Sequence, residues 1–155
     1  MLTALGTGAT PEWHDAGIES LGLHFMTPHA PGVAYIANRK SINGAVKTLM
    51  FWGGAGAPRE LLRTSVPDQF SLAGWTSDGL NLLIVRWSRR PSAPASEPRN
   101  ETLWRVPVTG GSPVSTGLMM ESLRDVSIHP DGRRIAFNAG MKRAEQWALE
   151  NLLPR

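Results

Sequence analysis

The ten residues Trp75-Thr76-Ser77-Asp78-Gly79-Leu80-Asn81-Leu82-Leu83-Ile84 align without a gap on Ile128-His129-Pro130-Asp131-Gly132-Arg133-Arg134-Ile135-Ala136-Phe137, at an offset of 53 residues. Each copy starts on an apolar residue, passes through Asp-Gly and ends in an apolar run. An Asp in this setting accepts hydrogen bonds from backbone amides two residues on, and Gly takes a positive φ at no steric cost, so the chain reverses. The two stretches therefore read as strand, tight turn, strand, with Asp78, Gly79, Asp131 and Gly132 as the turn residues. Self-similarity at a fixed spacing is the mark of a repeat architecture, and without the Pro/Ser-rich insertion 88–100 the period is roughly 40 to 45 residues.

The likeness extends to both sides. Downstream, Thr102-Leu103-Trp104-Arg105-Val106 has a counterpart in Glu145-Gln146-Trp147-Ala148-Leu149. Upstream, a weaker copy runs through Pro31–Ile36 and Thr48–Trp52, and its Gly56-Ala57-Pro58 parallels Gly111-Ser112-Pro113. One unit is thus a strand, an Asp-Gly turn, a strand, a variable loop, a third strand carrying Trp, and a Gly-x-Pro turn that uses Gly111 and Pro113 before the next copy. Such an antiparallel sheet has two faces to bury and must stack on its neighbours.

Strand-length apolar segments recur at Leu21–Met26, Val33–Ala37, Thr48–Trp52, Phe70–Trp75, Leu82–Trp87, Leu103–Val108, Asp125–Ile128 and Ile135–Asn138, with Gly, Pro, Asn and Asp between them. Ala144–Leu153 is rich in helix formers, but the repeat argues for a strand over 146–150. The stretch 88–100 holds three Pro and three Ser and no large apolar side chain between its ends, which predicts a solvated loop.

Composition agrees with an all-β reading. At 155 residues, 41% hydrophobic and 19% charged, the chain has the length and balance of one folded domain. Sixteen Gly and twelve Pro make about 18% of it, against roughly 12% in ordinary usage, which is the sign of many turns. With no Cys, disulfides, thiolate metal sites and Cys nucleophiles are excluded. The net charge of +3 is mild, and the basic residues come as scattered pairs such as Arg89-Arg90 and Arg133-Arg134, so no nucleic-acid surface is expected. No apolar run approaches the roughly 20 residues of a membrane span, so no membrane insertion is expected. The first ten residues lack the basic and apolar regions of a secretory signal, which predicts a soluble chain in either the periplasm or the cytoplasm.

At His129-Pro130-Asp131-Gly132-Arg133-Arg134-Ile135-Ala136-Phe137, and at Leu103-Trp104-Arg105-Val106-Pro107-Val108 with Gly110-Gly111-Ser112-Pro113, the sequence resembles the WD-repeat-like β-propeller repeat of TolB-type proteins. The likeness covers 70–154 well, 29–66 weakly, and the first residues not at all. Thr76-Ser77 departs from the His/Ser-Pro of that pattern, and Ala30-Pro31 from its Asp-Gly. The resemblance implies a partial propeller of about three antiparallel four-stranded blades, at 29–69, 70–122 and 123–155, after an irregular or strand-forming segment 1–28. A closed ring needs at least about four blades, so the chain reads as the carboxy-terminal piece of a larger bacterial signalling or envelope protein, or else as one whose open edges pair with another chain.

Sites of chemistry are few. No G-x-S-x-G occurs, and Ser77 sits in a turn. His14, His24, His29 and His129 form no metal-binding spacing, and neither Gly6-Thr7-Gly8 nor Gly53-Gly54-Ala55-Gly56 carries the Lys-Ser/Thr of a phosphate loop, so no metal and no cofactor are expected. Among six Trp, the repeat assigns Trp104 and Trp147, with Trp52 and Trp75, to packing between sheets. Trp87, followed by Arg89 and Arg90 at the start of the insertion, is the candidate exposed contact. The function expected is non-catalytic: a binding or sensing module for a protein or peptide partner, with self-association through open edges as a further possibility. The alternative is the accessory or gating propeller of a serine peptidase or other hydrolase.

Overall fold

The computed structural model describes residues 2–3, 13–14, 20–26, 32–41, 44–89, 92, 94, 97 and 99–140. They contain strands and turns and no helix, and none therefore offers a helix long and apolar enough to cross a membrane. The short strands β1 (Leu2–Thr3) and β2 (Trp13–His14) pair with each other. Four strands, β3 (Ser20–Met26), β4 (Val33–Ser41), β5 (Gly44–Trp52) and β6 (Arg59–Ser65), form an antiparallel sheet in chain order. A second such sheet follows from β7 (Asp68–Trp75), β8 (Asn81–Ser88), β9 (Asn100–Pro107) and β10 (Val114–Glu121). The hairpin of β11 (Arg124–Ile128) and β12 (Ile135–Asn138) comes last. The first sheet begins at Ser20. The expected strand over 146–150, with Trp147, lies outside the described residues.

Each of the eight apolar segments read from the sequence is a strand; β6 and β10 were not among them. The Gly-x-Pro turns at 56–58 and 111–113 lead into a fourth strand of the same sheet, not into the next copy. The reason is burial. In β10 seven of eight residues are exposed, and in β6 only Thr64 is buried, so neither shows an apolar period. Backbone pairing with the third strand holds both at the sheet edge. In β10 the register shifts between Ser115 and Met119 around Gly117, which has φ +83°, an irregularity of the kind that blunts an exposed edge.

Three apolar layers lie across the sheets. Leu82 and Ile84 of β8, with Phe70, Leu72, Trp75 and Val106, pack against Ala34, Ile36 and Leu49 of the first sheet. The alternate residues Leu83 and Val85, with Leu103 and Leu123, meet Val126, Ile128 and Phe137 from the last hairpin. On the far face of the first sheet, Val33, Tyr35, Ala37 and Trp52 form a third buried group. Strand alternation produces this directly, since successive side chains of β4 and β8 point to opposite faces.

The two Asp-Gly turns are built alike. In the first, Gly79 N donates to Thr76 O at 2.9 Å, Thr76 N to Asn81 O at 2.9 Å, and Leu80 N to Asp78 Oδ1 at 2.9 Å. In the second, Gly132 N donates to His129 O at 2.8 Å, His129 N to Arg134 O at 2.9 Å, and Arg133 N to Asp131 Oδ1 at 2.9 Å. Gly79 and Gly132 have φ of +69° and +68°. The side chain at the first turn position differs: Thr76 Oγ1 donates to Asp78 Oδ1 at 2.6 Å, whereas His129 Nδ1 accepts from Asp131 N at 3.2 Å. The turns also touch, because a Cβ on Gly132 would run into Ser77 Oγ. The Thr76 hydroxyl, then the Leu80 amide, hold the Asp78 carboxyl below its ordinary range; the Arg133 amide, then Arg134 and His129, do the same for Asp131.

Two outcomes follow from these turns. Gly132→Ala should lower stability by more than about 1 kcal/mol, from the left-handed φ alone. In a double-mutant cycle with Ser77→Gly, read by urea denaturation, the two changes should couple by roughly 1 kcal/mol; strict additivity would mean that the turns do not bear on each other. Both carboxyls are depressed on folding, so their contribution is complete above the unfolded carboxyl pKa of about 3.9 and is lost as pH falls through the folded values. The melting temperature should therefore drop below about pH 4, and Asp78→Asn with Asp131→Asn should flatten that part of the curve.

Candidate functional site

Strand β8 starts at the Asp-Gly turn and ends at the long insertion, and its sequence changes character on the way. Leu82, Leu83, Ile84 and Val85 are all buried, and then Arg86-Trp87-Ser88 follow as the strand leaves the core. On the neighbouring β9, Thr102 lies opposite Arg86 and Trp104 opposite Ile84. Arg86, Thr102 and Trp104 therefore share a face. Together with Asp68, Trp87, Ser88, Arg89, Glu97, Arg99 and Asn100 they line a groove of about 580 Å3. This volume falls within the span of ligand sites, about 300 to 1,000 Å3. The groove sits at the end of the second sheet opposite the Asp-Gly turn.

Cations over indole faces dominate the site. The Arg86 guanidinium lies 4.7 Å from the centroid of the Trp104 ring, and that of Arg99 lies 4.8 Å from Trp87. Each such contact is worth about 0.5 to 2 kcal/mol, more as water is excluded. Lys47 of the first sheet reaches across with its Nζ 5.7 Å from both Phe70 and Trp87, and donates to Phe70 O at 2.9 Å. Burial lowers the pKa of this ammonium. Arg99 Nε donates at 2.6 Å to Glu101 Oε1, whose side chain is only 5% exposed. Asp68 Oδ1 accepts from the Ser88 hydroxyl.

The structure brings Trp87 and Arg89 into the groove, while Arg90 lies outside the described residues. Trp87 is not a free surface contact, however. It is half-buried, packs against the Leu83 and Val85 layer, and is covered by Arg99 and Lys47. Between β8 and β9, Ser92 and Pro94 are exposed, as a solvated loop requires, while Arg89, Glu97 and Arg99 at its margins are half-buried. Trp104, assigned to packing, does both jobs: it packs against the first apolar layer and also lines the groove. Asp78, Gly79, Asp131 and Gly132 remain at the opposite end, and Gly111 stands exposed in the β9–β10 turn beside the half-buried Pro113. Arg86 and Asp68 were missed. The available signal was Arg86, which shares a face with Thr102 and Trp104 once β8 and β9 are paired.

Among the described residues no group of three or more His, Asp or Glu side chains is placed to hold a metal ion. No protein-family model matches the chain, and no curated protein matches it.

The buried Glu101 makes a clear test of how the groove is held. Glu101→Ala leaves Arg99 without its carboxylate and should destabilise the fold by about 2 kcal/mol. Because Arg99 lies over Trp87, the indole emission should shift as well; an unchanged spectrum would show that Arg99 does not need Glu101 to stay in place.

Proposed function

We propose that this chain is part of a β-propeller of the kind its repeats resemble, and that it is a non-catalytic module which binds a protein or peptide segment in the groove at the end of the second sheet. Three features support the architecture: successive antiparallel four-stranded sheets stack through apolar layers; the first strand of the second sheet, β7, lies against β3 on one side and β11 on the other; and the two Asp-Gly turns meet through Ser77 and Gly132. The binding reading is carried by a single observation, the groove with two arginine-covered indoles at its walls. Guanidinium groups hold anions and stay protonated, so they suit recognition and not proton transfer. Indole rings supply large, rigid contact area with a polar edge.

The test is a screen of the full chain against a displayed library of random linear heptapeptides. Peptides should be enriched, and Thr102→Trp, which fills the groove, should abolish their binding, while Thr109→Trp in the exposed β9–β10 turn leaves it unchanged. Binders indifferent to Thr102→Trp would move the function elsewhere on the molecule.

A further inference from the structure

Resting on the reading of the groove as a peptide site, we propose that Arg86 is its anion anchor, and that the segment bound there carries a carboxylate which the Arg86 guanidinium grips while the Trp104 ring holds that guanidinium in place.

The charges in the groove are not equivalent. Arg99 is engaged by Glu101, and Asp68 accepts from Ser88. Arg89 and Glu97 each engage another group. Arg86 differs: among the described residues its partner is the Trp104 ring, with no carboxylate or carbonyl accepting from it. A guanidinium held over a ring keeps N–H donors that the ring does not use. Those donors are available for two parallel hydrogen bonds to a carboxylate, the arrangement that arginine makes best. Arg86 is half-buried, so the pair would form in a partly dried setting where a charge-assisted bond is stronger than at an open surface.

The surroundings narrow the ligand. A sugar would stack on an open indole face, but each ring already has a cation over it. A nucleic-acid backbone would bring repeated phosphates against Asp68 and Glu97, which also line the groove. A free small anion would engage Arg86 and leave the rest of the groove unused. An extended peptide meets every feature: its carboxylate on Arg86, its backbone beside Ser88, Asn100 and Thr102, and apolar side chains on the indole edges.

The heptapeptide screen decides the matter when it is repeated with variants. Binders to the native chain should be enriched in Asp or Glu at one position, and synthetic copies with Asn or Gln there should bind about tenfold more weakly. Arg86→Gln should remove the acidic preference, and Arg86→Lys, which keeps charge without the fork, should recover only part of it. Because Arg86→Gln also removes the cover of Trp104, Thr102→Glu is the second variant: it sets a carboxylate directly opposite Arg86 and should block acidic peptides without unfolding the chain, as read by its melting temperature. Binders that depend on the groove but show no acidic bias, or keep it in Arg86→Gln, overturn the anchor and leave the peptide site standing. A library that yields no binders overturns both. Inorganic phosphate that perturbs the Trp104 indole signal when no acidic peptide does would mark a small-anion site and likewise overturn the proposal.

Discussion

Strand β8 is buried on both faces, and that constrains everything around it. Leu82 and Ile84 face the first sheet, Leu83 and Val85 face the last hairpin, and all four are at most 5% exposed. Each such side chain contributes about 1.5 to 3 kcal/mol when fully withdrawn from water. A single four-stranded sheet cannot collect this from both faces, so the second sheet is stable only between neighbours. The partners are supplied in chain order: β6 passes to β7 through two residues, and β10 to β11 through two more. Such short connections make stacking of successive sheets local in sequence.

The same constraint sets where polar groups go. Backbone donors and acceptors inside the sheet are paired by the ladder, so charged side chains collect where β8 runs out of apolar residues, at Arg86 and beyond. Cations also cross between the sheets, one near each end. Lys47 bridges the first sheet to the Phe70 carbonyl of the second, and at the Asp-Gly end Arg59 donates to the Val108 carbonyl. Both are long side chains that can lay their stems along apolar surface. They tie the sheets together alongside the apolar contacts.

Much of the fold was readable because it follows from local chemistry. The run Leu82–Val85 needs two apolar partners, and the Asp-Gly pairs need a reversal; both are statements about a few adjacent residues. The two edge strands were not readable, since β10 presents seven exposed residues of eight and is held by hydrogen bonds that any sequence offers. The groove was half readable. Trp87 and Arg89 stood out beside the insertion, but the pairing of Arg86 with Trp104 joins residues on different strands and appears only once the register Ile84 to Trp104 is known. Trp104 shows why repeat equivalence alone misleads about a large side chain: one face of an indole can pack against a core while its other face borders a groove.

The placement of the insertion ties these points together. The Asp-Gly turn of the second sheet is tight, with Gly132 seated against the Ser77 side chain. Extra residues in that turn would press on the neighbouring hairpin. At the other end β8 and β9 are joined by a loop from Arg89 to Arg99, and lengthening a loop there costs only logarithmically in closure entropy. The long connection is therefore accommodated at the β8–β9 end, which is where Arg86, Trp87 and Trp104 converge. Rigid strands hold those three side chains in position, and the connection that joins β8 to β9 can differ in length without disturbing the core.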